Sequence, residues 1–212
     1  MVLVRIMRIA RNKFCRITST SSPLLYISLL VILFMFGATS YAESVRGTVK
    51  LLSGDDAGKV VVYIEKANGA FIPPEKHPIV DQIDIAFAPY VLPVLIGTTV
   101  EFHNSDDMHN IFTPSWAGHK FHLGTYPKGV ARSFTFDRLG EVVLLCNIHP
   151  DMEGYILVLQ NPYFAVPDKN GNYRIDNVSP GKYNLKMWYK SRISPSMAIT
   201  VEKGKETVVD FR

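Results

Sequence analysis

Cys146, His149 and Met152 stand within seven residues of one another, in Cys146-Asn147-Ile148-His149-Pro150-Asp151-Met152. The apolar runs Val142-Val143-Leu144-Leu145 and Tyr155-Ile156-Leu157-Val158-Leu159 flank them and read as strands. A thiol, an imidazole and a thioether on one short loop are soft and borderline donors. They suit copper held in a plane of two imidazoles and a thiolate, with a weak, distant thioether. One imidazole is missing from the loop. His109 is the candidate, because Thr99-Val100-Glu101-Phe102 before it reads as a strand that carries it to the same end of a sandwich. Taken singly, a lone Cys is usually a small buried hydrophobe and a Met beside a strand is usually core, so burial without a metal is the competing reading. Core packing alone does not call for all three residue types in one loop with a second His behind another strand.

The elements around these residues read as strands throughout. Val45 to Leu51 and Val60 to Glu65 are β-branched runs separated by the turn-rich Ser53-Gly54-Asp55-Asp56-Ala57-Gly58, which predicts a hairpin over 43–66. The two Asp residues there are too few for a calcium site, and a solvated turn accounts for them. Residues 67–78 hold Gly69, Pro73, Pro74 and Pro78 and read as a linker, with His77 a surface residue without a partner. Residues 79–160 then carry short strands at Ile79 to Ala86, Tyr90 to Val94 (interrupted by Pro89 and Pro93), Thr99 to His103, Ile111-Phe112, Phe134 to Phe136, Val142 to Leu145 and Tyr155 to Gln160. No stretch has a long helical period. An all-β Greek-key sandwich of about eight strands fits this pattern.

Residues 1–42 read as an export signal. Arg5, Arg8, Arg11, Lys13 and Arg16 form an acid-free basic start, Leu24 to Phe36 is apolar apart from Ser28, and Ser40-Tyr41-Ala42 offers small residues for cleavage. The apolar run is short for a span of about 20 residues; an uncleaved anchor is the alternative. Of 23 Lys and Arg against 19 Asp and Glu, five basic residues lie in this segment, so the remainder has 18 against 19 and a formal charge of −1. The high pI therefore belongs to the signal, and no nucleic-acid partner follows from it. Cys15 leaves with the segment, and Cys146 remains as a single thiol with no internal disulfide partner. In an oxidising compartment, metal ligation or burial would protect it.

The loop spacing resembles that of the cupredoxin, or type 1 blue copper, family, above all its short-loop amicyanin-like branch with a Pro after the loop His, as Pro150 stands here. It is similar also to methylamine utilization-type periplasmic cupredoxin-domain proteins. Asp81-Gln82, Phe87-Ala88-Pro89, Val91-Leu92-Pro93-Val94, Gly97-Thr98-Thr99-Val100-Glu101-Phe102, Asn104-Ser105-Asp106, His109-Asn110 and Cys146 to Met152 carry the resemblance, over roughly residues 45 to 190. It implies one type 1 copper with Cys146 as thiolate, His109 and His149 completing the plane and Met152 as axial donor. Asn110 would steady the Cys146 loop from outside the ligand set. His149 would be the partly exposed edge for electrons, with Trp116, Pro114 and Pro150 as an apolar docking patch. His103 shares a face with Glu101 and reads as solvent-facing; His119 and His122 read as loop surface, or as a weaker second metal site that the family pattern lacks.

The C-terminal part, 161–212, has a different character. Asn170-Gly171 and Pro180-Gly181 punctuate alternating strands, and the segment is similar to the carboxypeptidase regulatory-like, transthyretin-like sandwich. Its opening strands resemble Val45 to Val49 and Val60 to Glu65. A small sandwich split by the copper-type module, with residues 45–65 pairing with 173–210, is the expectation.

Two functional classes follow. One is a periplasmic carrier of single electrons between redox proteins, a dehydrogenase or a c-type cytochrome on the resemblance. The other is a redox-idle copper module for storage, delivery or assembly. No enzyme activity is expected: Cys146 and His149 as nucleophile and base would lack an orienting third group and an oxyanion hole, and no small-molecule substrate is implied.

Overall fold

The computed structural model describes residues 43–50, 56–114 and 120–212. The expected export segment, the turn residues 53–55, Trp116 and His119 lie outside the described residues. In chain order the strands are β1 (Ser44–Thr48), β2 (Val60–Ile64), β3 (Ile79–Ile83), β4 (Ala86–Ala88), β5 (Val91–Leu95) and β6 (Thr98–Asn104). Then come β7 (His109–Thr113), β8 (Phe121–Tyr126), β9 (Ala131–Phe136), β10 (Gly140–Leu145) and β11 (Glu153–Leu159). The last are β12 (Phe164–Ala165), β13 (Asn172–Asp176), β14 (Gly181–Tyr189), β15 (Arg192–Ile193), β16 (Met197–Val201) and β17 (Glu206–Val208). Ala57–Lys59 forms a single 3-10 turn, and no helix among the described residues is long and apolar enough to cross a membrane.

Strands β3 to β11 build a cupredoxin-like sandwich from two sheets, ordered β5-β11-β10-β7-β8 and β4-β3-β6-β9. Alternation decides what lies between them. In β6 the even positions Val100 and Phe102 are fully buried, and in β10 Val142 and Leu144 are; they meet Ile111, Phe136 and Ile156 in one core. Each such buried side chain contributes roughly 1.5–3 kcal/mol.

The remaining strands form a second sandwich, with sheets β13-β1-β17 and β12-β2-β14-β15, and β16 paired to β14. Strand β1 pairs with β13 antiparallel and β17 in parallel, and β2 pairs with β14 and β12, so residues 45–64 do join strands from 164–208. The predicted 43–66 hairpin, however, is absent: β1 and β2 sit in different sheets. The physical reason is burial. Strand β2, Val60-Val61-Val62-Tyr63-Ile64, is covered on both faces, which a two-stranded ribbon cannot provide.

Those two faces explain how the sandwiches meet. Val60, Val62 and Ile64 enter the core of the second sandwich, whereas Val61 and Tyr63 join Val91, Tyr155, Leu157, Leu159 and Trp188 in a separate apolar seam. The unbroken apolar run of β11 has the same cause: Ile156 and Val158 face the first core and Tyr155, Leu157 and Leu159 face the seam. Trp188 Nε1 donates to Glu141 Oε2 at 2.6 Å, which satisfies the buried indole across the seam. From Glu43 onward the described chain behaves as one compact unit.

Three further expectations are corrected. Pro93 does not break a strand: it lies within β5, which pairs only with β11 and forms a sheet edge, where a missing N–H is tolerated. His122, read as loop surface, lies on strand β8, which pairs with β7 around an irregularity between Asn110 and Phe112; His122 and Gly124 interrupt the alternation and hide the strand. His77 has a partner after all, since its Nδ1 lies 3.2 Å from Glu101 Oε1.

Candidate metal centre

The residues singled out at the Cys146 loop all belong to one face by simple parity. In β10 the inward positions are Val142 and Leu144, and Cys146 is the next of the series, 3% exposed. On β11 the inward series Val158, Ile156 and Gly154 runs back to Met152, 1% exposed. The β10–β11 ladder ends at Leu145 opposite Glu153, so Cys146 and Met152 stand across from each other at the mouth of the loop. In β7, His109 and Ile111 are both fully buried. Leu145 pairs with Phe112, and the antiparallel register carries His109 up against the loop beyond Cys146.

The donor atoms converge. His109 Nδ1 lies 3.8 Å from Cys146 Sγ and 3.1 Å from His149 Nδ1, and the donor atoms of the three residues all lie within 4.8 Å of one another. A metal about 2.0–2.1 Å from imidazole nitrogen and about 2.3 Å from thiolate sulfur, with angles of about 100–120°, requires N···N edges of about 3.1–3.6 Å and N···S edges of about 3.3–3.8 Å. The two separations from His109 Nδ1 fall in these ranges, so its imidazole can share one ion with the Cys146 thiolate and with the His149 imidazole, and the third separation lies within 4.8 Å. The imidazoles are 4.8 Å apart between ring centres and tilted by 54°, and the thiol and thioether match a soft metal such as copper. Among the described residues this is the one group of three such donors within reach of a common ion.

The surroundings hold the donors in place. Asn110 accepts a hydrogen bond from the Asn147 backbone N–H at 2.8 Å through Oδ1, tying the loop of Cys146 to β7. The Met152 N–H closes the loop onto the His149 carbonyl at 3.0 Å. Gly154 has no room for a side chain, because a Cβ there would meet Phe87 Cβ at 2.8 Å; this close approach seats β4 against β11 two residues beyond Met152. His149 is only half-buried, and beside it in sequence Ile148 is 44% exposed; Met108, next to His109, is 50% exposed. Pro114 and Pro150 are exposed too.

The segment leading to His109 is braced more heavily than its sequence announces. Asn104 Nδ2 donates to the carbonyls of Asp107 and Tyr126 at 2.7 and 2.8 Å. Ser105 donates through N and Oγ to Asp81 at 3.1 and 2.7 Å. Asp106 faces His109, with Oδ2 3.4 Å from Nε2; Ile85 N–H, then Asp107 N–H, hold its carboxyl below the usual value. Sequence reading gave Asp106 no role at the site, although it stands three residues before His109 and within the Asn104-Ser105-Asp106 segment that carries the resemblance. Tyr126, opposite His109 in the ladder, is buried, which raises its hydroxyl above the ordinary value; that hydroxyl accepts from Gln82 Nε2 at 2.7 Å.

The other histidines stand apart from the cluster. His103 Nε2 lies 3.0 Å from Glu101 Oε2 on the outer face of β6, as alternation predicts. His122 is exposed on β8, stacked on Phe112 with ring centres 6.1 Å apart, and its Nδ1 accepts from Gly124 N–H.

Residues 158–209 match the family model described as polysaccharide lyase family 4, domain II. A search of curated proteins finds no match to the chain. Among solved structures, the chain is similar to a Cu-containing nitrite reductase from Thermus scotoductus SA-01, at 27% identity and a TM-score of 0.40. That alignment covers 54% of this chain and 28% of the reductase, so the chain spans little more than a quarter of that relative. A purple cupredoxin from Nitrosopumilus maritimus aligns at 24% identity over 38% of this chain and 98% of its own, with a TM-score of 0.35. The reduced state of an amicyanin mutant aligns at 24% identity over 46% and 97%, with a TM-score of 0.37.

Proposed function

We propose that this protein binds one copper ion through His109, Cys146 and His149, with Met152 as a weak axial donor, and carries single electrons between redox proteins. The observation that carries this reading is the convergence of N, N and S donors on one spot, with His109 Nδ1 3.1 Å from His149 Nδ1 and 3.8 Å from Cys146 Sγ, both separations that one ion can bridge. When bound, copper supplies a one-electron couple. The chain's part is to fix the donors in a compromise geometry. Buried Cys146 and His109 cannot swing away, Asn110 locks the loop, and the sandwich core excludes water from all but the His149 side. Half-exposed His149, with Ile148, Met108, Pro114 and Pro150 around the same end, forms the edge at which a partner docks. The partner class is a dehydrogenase or a c-type cytochrome, the location is the periplasm after removal of residues 1–42, and no substrate is turned over. The second sandwich serves as a scaffold of the regulatory-like, transthyretin-like kind, split by the insertion of 79–160 between β2 and β12.

Addition of one equivalent of Cu(II) to the purified protein tests this. An intense thiolate-to-copper absorption with narrow copper hyperfine splitting, bleached reversibly by ascorbate, is the expected result. A pale, wide-split spectrum would instead favour storage or delivery through ordinary histidine coordination.

A further inference from the structure

An imidazole that offers Nδ1 to a metal must carry its proton on Nε2, and whatever faces Nε2 sets the ring's orientation and basicity. For His109 that nitrogen is sealed in the core: the residue is fully buried and Nε2 has no well-aligned hydrogen-bond partner. A carboxylate oxygen, Asp106 Oδ2, faces it at 3.4 Å. The contact is long, yet the oxygen is not free to leave. The same Oδ2 accepts the Ile85 N–H at 2.9 Å, and the Asp106 N–H is held by Asn104 Oδ1 at 3.0 Å.

The turn that presents this N–H is itself unusual. Asp84 and Ile85 both occupy the left-handed region, at φ of 54° and 57°, between the antiparallel strands β3 and β4. A β-branched residue there is strained, and such strain persists where the surroundings over-determine it. Here the strained turn aims one backbone donor at the carboxylate behind His109.

We infer that Asp106 is a positioning residue for the metal centre: it keeps His109 in the Nε2–H tautomer, with Nδ1 turned toward Cys146 and His149, and its charge behind the ring favours the oxidised ion. This rests on the copper reading above for its second half only. The tautomer belongs to the protein without metal.

Two variants separate orientation from charge. Asp106→Asn keeps an oxygen acceptor for Ile85 and His109 but removes the charge; Asp106→Ala removes both. Ring ¹⁵N NMR of the metal-free full chain should show His109 as a single Nε2–H tautomer in the parent and in D106N, and as a mixture in D106A. With copper bound, D106N should lose about tenfold in its preference for Cu(II) over Cu(I), the low end of effects of such partners, which for a one-electron couple is an upward shift of about 59 mV. A parent-like tautomer in D106A, or a parent-like potential in D106N, overturns the inference. If the parent takes up copper without a coloured centre, the copper reading falls and the tautomer measurement still decides the role of Asp106 toward His109.

Discussion

The two sandwiches bury their interiors by the same alternation, but they put different residues on the inward positions. The apolar core of the second is built from Val, Ile, Leu, Ala, Tyr and Phe side chains, with Met187 and Met197 packed against it. In the first, the inward series of β7, β10 and β11 ends in His109, Cys146 and Met152 at one edge. The second sandwich answers to one demand, packing density. The first answers to two, and at its open end packing is given up for donors whose lone pairs converge. Its polar bracing follows from this: Asn104, Ser105, Asp81 and Asn110 fix a rim that apolar contact alone would leave loose. In the second sandwich the charged bonds lie instead on an outer face, where Glu206 meets Arg46 and Arg174.

The sharpest break of this contrast is Cys146→Ser. It should abolish the intense absorption entirely while leaving the far-UV circular dichroism of both sandwiches intact; an unchanged spectrum would place the copper elsewhere. Next is Trp188→Ala in the seam, fully buried and bonded to Glu141. Loss of a buried Trp costs about 3–5 kcal/mol. In denaturant, the copper band and the β-sheet signal should fail together at a lower midpoint, whereas separate transitions would show that the seam does not couple the sandwiches.

Met152→Leu should be milder. Leu and Met are close in volume, so stability should change by less than about 1.5 kcal/mol, the centre should stay coloured, and its potential should rise as the axial thioether is lost. A fall in potential by voltammetry would remove Met152 from the ligand set.

The smallest effect concerns acid. Hydrogen bonds from Arg46 and then Arg174 hold the Glu206 carboxyl below its usual value, and Thr48 does the same for Asp210. Groups whose folded values are lowered stabilise the fold above their unfolded values, about 4.3 for Glu and about 3.9 for Asp, and lose that contribution as pH falls through the folded values. Denaturant midpoints should therefore drop below about pH 4.5, and Glu206→Gln should make the drop shallower. These groups are exposed, so the change is modest; an acid response identical to the parent's would remove Glu206 from it and leave the other lowered carboxyls, Asp168 and Asp210 in the second sandwich and Glu101 and Asp106 in the first.

Much of the site was legible because parity is local. Val142, Leu144 and Cys146 share a face in any strand, as do Met152, Gly154 and Ile156, and the residue types state what chemistry that face can do. The order of strands around the loop and the all-β class were legible for the same reason, as was the solvent-facing His103. Strand β8 was not, since Gly124 and His122 interrupt its pattern, nor was the separation of β1 from β2, which depends on what covers the second face of β2. Nor could the sequence join Asp106 and Ile85 to His109. The sequence by itself determined which residue types are on offer at this end of the sandwich and the strand faces on which they lie. Tertiary structure decided that His109 meets Cys146 from 37 residues away, that Glu101 stands beside both His77 and His103, and that a carboxylate stands behind His109. Side-chain parity is set within one strand, whereas convergence depends on ladder register and on strained turns that only the packed sheets can hold.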